Sequence, residues 1–327
     1  MISRILYSGQ RQETLHKMKI KKYFTALKRF ICDPDYRFLL KAGIGRYDSM
    51  PDREYIIKKF RASMGYEPDL DEPKTFNEKL QWLKLYDRRP EYTVMADKFL
   101  AREYIENKLG NEYLIPLLGV WDDPDEIDFK SLPEKFVLKC NHNSGLGMYI
   151  CRDKAKLNEK KVRNALRRGL KQDYYLCGRE WPYKNIPRKV ICEKYMTDSP
   201  ESSDFTDYKF FCFDGKADCV MLCLERSSGD TKFYFFDRDW NLKRYNIRGK
   251  NAPDGFTLPK PDNIDKMFEI ASVLSEDLPF ARIDLYNSDG HIYFGEITFY
   301  PDSGFDPNLL KETDEYFGNL IKLPERK

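Results

Sequence analysis

Arg282-Ile283-Asp284-Leu285-Tyr286-Asn287-Ser288-Asp289-Gly290-His291-Ile292-Tyr293-Phe294-Gly295-Glu296-Ile297-Thr298 is the stretch whose pattern decides the class of fold. Two alternating runs, Ala281–Tyr286 and His291–Tyr300, flank Ser288-Asp289-Gly290, a turn signal that predicts a β-hairpin. With those three residues as a type I turn closed by Gly290 in the left-handed region, Arg282 is expected opposite Glu296. Asp284 is then diagonal to Glu296 on the same face. Ile283, Leu285, Tyr293 and Ile297 take the other face, toward a core. Two carboxylates grouped this way are hard oxygen ligands suited to Mg²⁺, and a guanidinium beside them holds phosphate or an oxyanion. The same residues also suit a solvated ion pair on a half-exposed hairpin.

Hairpins continue upstream. Tyr208–Phe213 and Ala217–Glu225 flank Asp214-Gly215, and Lys232–Asp237 and Asn241–Ile247 flank Arg238-Asp239-Trp240. Helices are expected at Ile264–Glu276 and, after Pro307, over Asn308–Ile321. Between 121 and 195 the pattern is strand Phe136–Cys140, a glycine loop 141–147, strand Met148–Arg152, a helix capped by Asn158 and running through Lys171, and strand Lys189–Met196. The first 120 residues read as mainly helical. Thr75-Phe76-Asn77-Glu78 is a capping box, and a helix over Ala96–Leu109 ends at Gly110. Tyr113–Trp121 is extended and apolar. The class is α+β, divided into a basic N-terminal helix (1–31), a helical region (32–120), a small lobe with the glycine loop (121–195) and a large lobe with the hairpin (196–327).

The composition is globular, with 41% hydrophobic and 33% charged residues in 327, and no run approaches the 18 apolar residues of a membrane span. The N-terminus lacks the apolar core of a signal peptide. Eight scattered cysteines without a C-x-x-C read as buried, reduced thiols of a cytosolic protein. Three histidines argue against a His-based metal site or triad. The formal charge of +3 divides into +7 for residues 1–31 and −4 for the remainder. Ile20, Phe24, Leu27 and Ile31 follow helical spacing among lysines. That suits an anionic membrane surface or a docking partner, and equally a packed helix with a solvated basic face. The body carries no basic stripe, so no nucleic-acid partner is expected.

Lys139 ends an apolar strand and precedes Asn141-His142-Asn143-Ser144-Gly145-Leu146-Gly147. Such a loop turns backbone N–H groups toward an anion, with the lysine as a point charge, although a plain hairpin turn has the same composition. It is neither a Walker A nor a dinucleotide fingerprint. Lys98, Glu193, Lys194 and Lys209 also lie in apolar elements. Each suits a snorkelling surface position, and together with Lys139 they supply the cations and the acceptor that a nucleoside triphosphate needs.

The order Ala96-Asp97-Lys98, Phe136-Val137-Leu138-Lys139 with its glycine loop, Val190-Ile191-Cys192-Glu193-Lys194-Tyr195, Asp207-Tyr208-Lys209, Arg282-Ile283-Asp284 and Glu296-Ile297-Thr298 resembles the ATP-grasp superfamily. Thr75-Phe76-Asn77-Glu78-Lys79-Leu80-Gln81-Trp82, Gly178-Arg179-Glu180-Trp181-Pro182-Tyr183 and Tyr293–Phe305 resemble its TupA-like branch, linked to teichuronopeptide and other cell-surface polysaccharide synthesis. The resemblance runs from about Pro51 to Leu323. It implies two α+β lobes holding ATP between antiparallel sheets, preceded here by helices rather than a βαβ domain. It also implies Lys98 and Lys139 on the nucleotide phosphates, with Ser144, Gly145 and Gly147 in a mobile cover. Glu193, Lys194 and Met196 would frame the adenine, and Lys209 would be a further nucleotide-site lysine. Asp284 and Glu296 would hold Mg²⁺, with Arg282 on the transferring phosphoryl group. Thr298 stands where many members have a metal-ligating Asn. Pro301–Phe305, with Ser303 and Gly304, would lie at the acceptor site. The implied activity is an ATP- and Mg-dependent carboxylate–amine ligase acting through an acyl phosphate. It would join an amino acid or amine to a glycan or uronic-acid carboxylate on a surface polysaccharide precursor. The alternatives are a kinase acting on a sugar hydroxyl and a non-catalytic scaffold. The expected location is cytoplasmic, at the inner face of the membrane if residues 1–31 bind it.

Overall fold

A computed structural model describes residues 25, 27–198, 206–224 and 231–326. Contacts divide the chain into two units, residues 1–68 and 69–327. In the first, helices α1 (Pro34–Gly43) and α2 (Asp52–Met64) pack on each other. The Asp33 carboxylate accepts from the Tyr36 N–H to cap α1, and Phe38 is buried against Tyr47 and Tyr55. Most of the basic helix expected over 1–31 lies outside the described residues. Of its apolar positions, Leu27 and Ile31 are described, and both are exposed.

The second unit begins with α3 (Phe76–Tyr86), α4 (Glu91–Ala96) and α5 (Ala101–Leu109). The capping box forms as expected: Glu78 N–H donates to Thr75 Oγ1, and the Glu78 carboxylate accepts from Thr75 N–H. The single helix expected over Ala96–Leu109 is instead α4 and α5. The Asp97 carboxylate breaks it by accepting from the N–H groups of Phe99 and Leu100.

Two antiparallel sheets follow. The smaller has β1 (Leu117–Trp121), β2 (Phe136–Cys140), β3 (Tyr149–Cys151) and β4 (Val190–Lys194), in the order β1-β4-β2-β3. Phe136 and Leu138 on β2 pack with Val162 and Leu166 of α6 (Glu159–Leu170), which Asn158 caps. Strand alternation leaves Val137 and Lys139, paired with Glu193 and Ile191, on the opposite face. A one-turn helix, α7 (Tyr174–Gly178), precedes β4.

The larger sheet has β5 (Asp207–Phe213), β6 (Lys216–Leu224), β7 (Lys232–Phe236), β8 (Leu242–Lys243), β9 (Phe280–Ser288) and β10 (His291–Thr298), in the order β10-β9-β5-β6-β7-β8. The strand expected over Asn241–Ile247 is cut short because the Asn246 side chain accepts from Gly249 N–H and opens α8 (Ile247–Lys250). One face of the sheet packs on α9 (Ile264–Leu274), with the Phe210 and Phe268 rings 4.9 Å apart. The other face carries Phe211, Phe213 and Phe280, which meet Phe76 of α3 and Phe317 of α10 (Lys311–Leu320). Gly318 permits that docking, since a Cβ there would stand 2.1 Å from the Lys74 carbonyl.

The β9–β10 register departs from expectation. The turn has two central residues, Asp289 (φ 53°) and Gly290 (φ 80°), both left-handed as a type I′ hairpin requires. A bulge then falls between the pairs Leu285–Phe294 and Asp284–Glu296. Gly295 lies in it, where a Cβ would come within 2.9 Å of the Asp284 carbonyl and the Tyr286 ring. Each change shifts the pairing by one residue. Asp284 therefore faces Glu296, and Arg282 faces Thr298 rather than Glu296. Without the bulge Glu296 would fall opposite Ile283, on the core side. Ile292 and Phe294, not Tyr293, join Ile283, Leu285 and Ile297 in the core.

Of the eight cysteines, all free, Cys32 and Cys177 are exposed and the rest are buried, so burial covers only part of the set. Among the described residues no helix is long and apolar enough to cross a membrane.

Candidate active site

Lys209, Asp284 and Glu296 stand in one row across β5, β9 and β10. Lys209 is ion-paired with Asp284 and lies 3.6 Å from Asp207. Arg282 grips Asp284 with two donors, Nε to Oδ1 at 2.6 Å and Nη2 to Oδ2 at 2.8 Å. The same Nη2 donates to Glu296 Oε1 at 3.1 Å and to Thr298 Oγ1 at 3.0 Å. The Thr298 hydroxyl donates to Glu296 Oε1 at 3.2 Å. Burial opposes the charge of Arg282, but Asp284 and then Glu296 outweigh it and raise its pKa.

Two more cations stand near, Lys139 on β2 of the small sheet and Lys98 in the turn between α4 and α5. Lys139 Nζ lies 2.6 Å from Glu193, and Lys98 Nζ lies 3.7 Å from Glu296 Oε2 while donating to the Asn143 carbonyl at 2.8 Å. Burial would raise the Glu296 pKa. Lys98, Arg282, Lys209 and Lys139 together reverse this and bring it down to about 2. Glu296 therefore stays ionised at neutral pH, with a third of its side chain open to solvent, whereas Asp284 is almost fully enclosed.

Asn141 fixes Lys98 against the loop. Its side-chain amide donates to Asp97 Oδ1 and to the Pro187 carbonyl, both at 2.8 Å, and its own carbonyl accepts from Lys98 N–H. Burial raises the Asp97 pKa against these hydrogen bonds. His142 and Asn143 are also buried, with the ring of His142 against the Gln172 carbonyl and Asn143 donating to Gly169. Burial lowers the His142 pKa. Only Ser144, Gly145 and Leu146 form the exposed tip, and Gly147 tucks back within 3.1 Å of Gly169 as measured from its ideal Cβ.

A third assembly adjoins the hairpin. Lys84 on α3 is fully buried and donates to Gln81 Oε1 at 2.8 Å, the Gly178 carbonyl at 2.8 Å and the Ser303 carbonyl at 2.6 Å. Gln81 donates to the Gly304 carbonyl, and Ser303 Oγ donates to Glu180. These contacts hold Asp302, Ser303 and Gly304 in three successive left-handed conformations, which L-residues adopt only when their surroundings enforce it. Ser303 and Gly304 thus use their carbonyls to anchor the turn.

The structure gathers Arg282, Asp284, Glu296, Lys209, Lys98, Lys139 and Glu193 into one site. Lys194 is exposed and its N–H already donates to the Pro116 carbonyl at 3.0 Å, so that amide is not open to a base edge. Met196 is half-buried just past β4. Asn141, Asp97, Gln81, Lys84 and Glu180 escaped the sequence reading as site residues. The one signal for Gln81 and Lys84 was polar residues three apart in a helix otherwise rich in Leu and Trp. Among the described residues no group of three or more His, Cys, Asp or Glu is placed to hold a metal. The protein therefore offers two carboxylates and the Thr298 hydroxyl. An oxygen-only set of this size fits Mg²⁺, which keeps waters and shares substrate phosphates.

Two antiparallel sheets, a pinned glycine loop and a charged hairpin define an ATP-grasp arrangement. The TupA-like ATP-grasp family matches residues 78–322, most of the chain, and the chain belongs to that family. No curated protein matches it. Among solved structures it is similar to the D-alanine–D-alanine ligase of Bacillus anthracis complexed with ATP, at 14% identity and TM-score 0.37. That alignment covers 63% of this chain and 54% of the other, so the chain spans about half the length of that protein. The Helicobacter pylori D-alanine–D-alanine ligase gives 15% identity and TM-score 0.41, over 76% and 69% of the two chains. The ADP complex of purK, N5-carboxyaminoimidazole ribonucleotide synthetase, gives 15% and 0.40, over 75% and 56%. Likeness at this level carries no inference about activity.

Proposed function

We propose that this protein is an ATP- and Mg²⁺-dependent ligase that joins a carboxylate to an amine through an acyl phosphate. The observation that carries the proposal is Glu296, ionised, partly open and ringed by Lys98, Arg282, Lys209 and Lys139. So many cations around one carboxylate exceed what a structural ion pair needs. They suit a polyphosphate whose charge must be neutralised during transfer.

In this reading Lys98 and Lys139 bind phosphate oxygens, the Ser144–Leu146 tip, anchored at Gly147, covers them, and Glu193 and Met196 border the base. Lys209 orients Asp284, and Arg282 meets the charge of the transferring group. Glu296 and Asp284 would hold Mg²⁺, which when bound neutralises phosphate charge. The γ-phosphoryl passes to a carboxylate oxygen and ADP leaves. The amine then forms the C–N bond as the acyl C–O bond breaks, phosphate departs with the electron pair, and the amine proton goes to water. The resemblance to polysaccharide-synthesis proteins supports a glycan-precursor carboxylate as the acyl donor and an amino acid or amine as the acceptor.

Calorimetric titration of ATP with and without Mg²⁺, on wild type and on the Asp284→Asn, Glu296→Gln double variant, is the test. Metal-dependent binding that the double variant loses is expected. Binding that ignores both metal and substitutions would sink the assignment. Hydroxylamine trapping then identifies an acyl phosphate, whereas an untrapped phosphate ester would indicate a kinase.

A further inference from the structure

Helix α6 carries more positive charge than its packing requires. Residues 152–171, which contain it, hold nine Lys or Arg against two acids. That net +7 stands in a chain whose formal charge is +3. Outside this segment and the basic residues 1–31, the remainder sums to −11. The expectation that the body carries no basic stripe therefore fails here. The cations are scattered along the chain and reach one face only when wound at 3.6 residues per turn.

Val162, Leu166 and Gly169 take the buried side of the 12-residue helix. Lys160, Lys161, Arg168 and Lys171 take the opposite side, around Asn164, and all five are exposed. They run about 16 Å along the axis. Among the described residues, the ion pairs of this helix go to its flank. Arg163 lies 3.6 Å from Glu159 and donates to the Ile127 carbonyl, and Arg167 pairs with Asp125. The side chains of Lys160, Lys161, Arg168 and Lys171 have no such partner among those residues. Helix stability explains only half of the four. Cations at the C-terminal end complement the helix dipole, which accounts for Arg168 and Lys171. Lys160 and Lys161 fall in the first turn, where the dipole opposes positive charge. Two lysines there cost local stability and point to a ligand outside the helix.

The C-terminal end of the stripe adjoins the transfer site. Gly169, next to Arg168, accepts from the Asn143 side chain, and the Asn143 carbonyl holds Lys98 at 2.8 Å. A Cβ at Gly169 would stand 2.8 Å from the Leu146 carbonyl, so the glycine loop lies directly on α6.

We propose that this face docks an acidic polysaccharide, a chain of carboxylate-bearing sugars laid along α6 with one end at the glycine loop. A row of cations spread over three turns matches an extended polyanion rather than a single anion. The helix bears no aromatic residue on which bases could stack and no large exposed apolar residue to enter a lipid surface, so a nucleic acid or a membrane fits it less well. The choice of a glycan over an acidic peptide rests on the ligase reading, in which the activated carboxylate belongs to a glycan precursor. The docking itself needs no nucleotide.

The test uses the full chain without nucleotide, titrated calorimetrically with hexagalacturonate and with maltohexaose as the uncharged control. One variant is Lys160→Gln, Lys161→Gln, Arg168→Gln. A second, Lys160→Arg, Lys161→Arg, Arg168→Lys, keeps the charge. Hexagalacturonate is expected to bind wild type and the charge-keeping variant alike, to weaken as salt rises, and to bind the glutamine variant about tenfold more weakly. Maltohexaose is expected to be silent. Equal affinity in the glutamine variant would overturn the proposal, as would equal weakening in the charge-keeping variant or no binding to wild type. So would tighter binding of a uridine hexamer, poly-L-glutamate or phosphatidylglycerol vesicles. A non-hydrolysable ATP analogue with Mg²⁺ is titrated separately. If it fails to bind while hexagalacturonate binds, the ligase reading falls and the docking surface stands.

Discussion

Along β5 and β9, one face of one sheet carries phenylalanines at one end and ion pairs at the other. Phe211, Phe213 and Phe280 meet Phe76 and Phe317 in a dry cluster, while Lys209, Arg282 and Asp284, two to four residues further along the same strands, gather beside Glu296. Strand alternation puts both sets on the same side. What differs is the covering. Helices α3 and α10 close the aromatic end, whereas Lys139 of the small sheet and Lys98 of the α4–α5 turn stand over the charged end. A buried ion pair usually gains little over a well-packed apolar replacement, because desolvation offsets the Coulomb attraction. The aromatic end thus contributes apolar burial, and the charged end is what the proposed nucleotide-binding role would require.

Glu296→Gln tests that contrast most severely. ATP turnover should fall by about 10²–10³-fold, the usual effect of losing one electrostatic group at a transfer site. Loss of stability with turnover retained would make the charged end structural. Phe211→Ala should do the reverse, costing about 3–5 kcal/mol in urea denaturation while nucleotide affinity of the folded protein persists. Lys84→Met keeps the volume but removes the lysine donor from the Gly178 carbonyl and Gln81 Oε1, and leaves the Ser303 carbonyl to Gln81 alone. About 3 kcal/mol should be lost, and acceptor coupling should suffer more than ATP binding.

A smaller effect is expected with pH. The folded-state pKa of Glu296, about 2, lies below its ordinary value of 4.5. Its contribution to stability is therefore complete above about pH 4.5 and disappears as pH falls toward 2. Glu296→Gln should flatten that part of the stability profile; an unchanged profile would show that other carboxylates govern it. Thr75→Ala should cost about 1 kcal/mol by removing the cap of α3, the helix that serves both the aromatic cluster and the left-handed turn at Asp302–Gly304.

Local chemistry was legible wherever it acted over a few residues. The Thr75–Glu78 box, the Asn158 cap, the limits of β2 and the Asp289-Gly290 turn signal all depend on neighbours in the chain. The acids and cations of the hairpin could be named for the same reason. The register could not, because a three-residue and a two-residue turn share the same letters, and the bulge at Gly295 appears only once β9 has packed beneath it. Residues 96–109 read as one helix because their local pattern is continuous, and the Asp97 caps that break it depend on Asn141 of a distant loop.

The sequence by itself determined an α+β chain of the ATP-grasp type and the residue types around its charged hairpin, since periodicity, caps and turn signals are set by adjacent side chains. Tertiary structure alone decided that Asp284 faces Glu296 and that four cations, three from the two sheets and Lys98 from the α4–α5 turn, converge on one carboxylate. It alone joined Lys84 to carbonyls 94 and 219 residues away to hold the left-handed turn at Asp302–Gly304. Those arrangements depend on burial and charge between segments far apart in the chain. Their energy exists only after the sheets and helices have closed on one another.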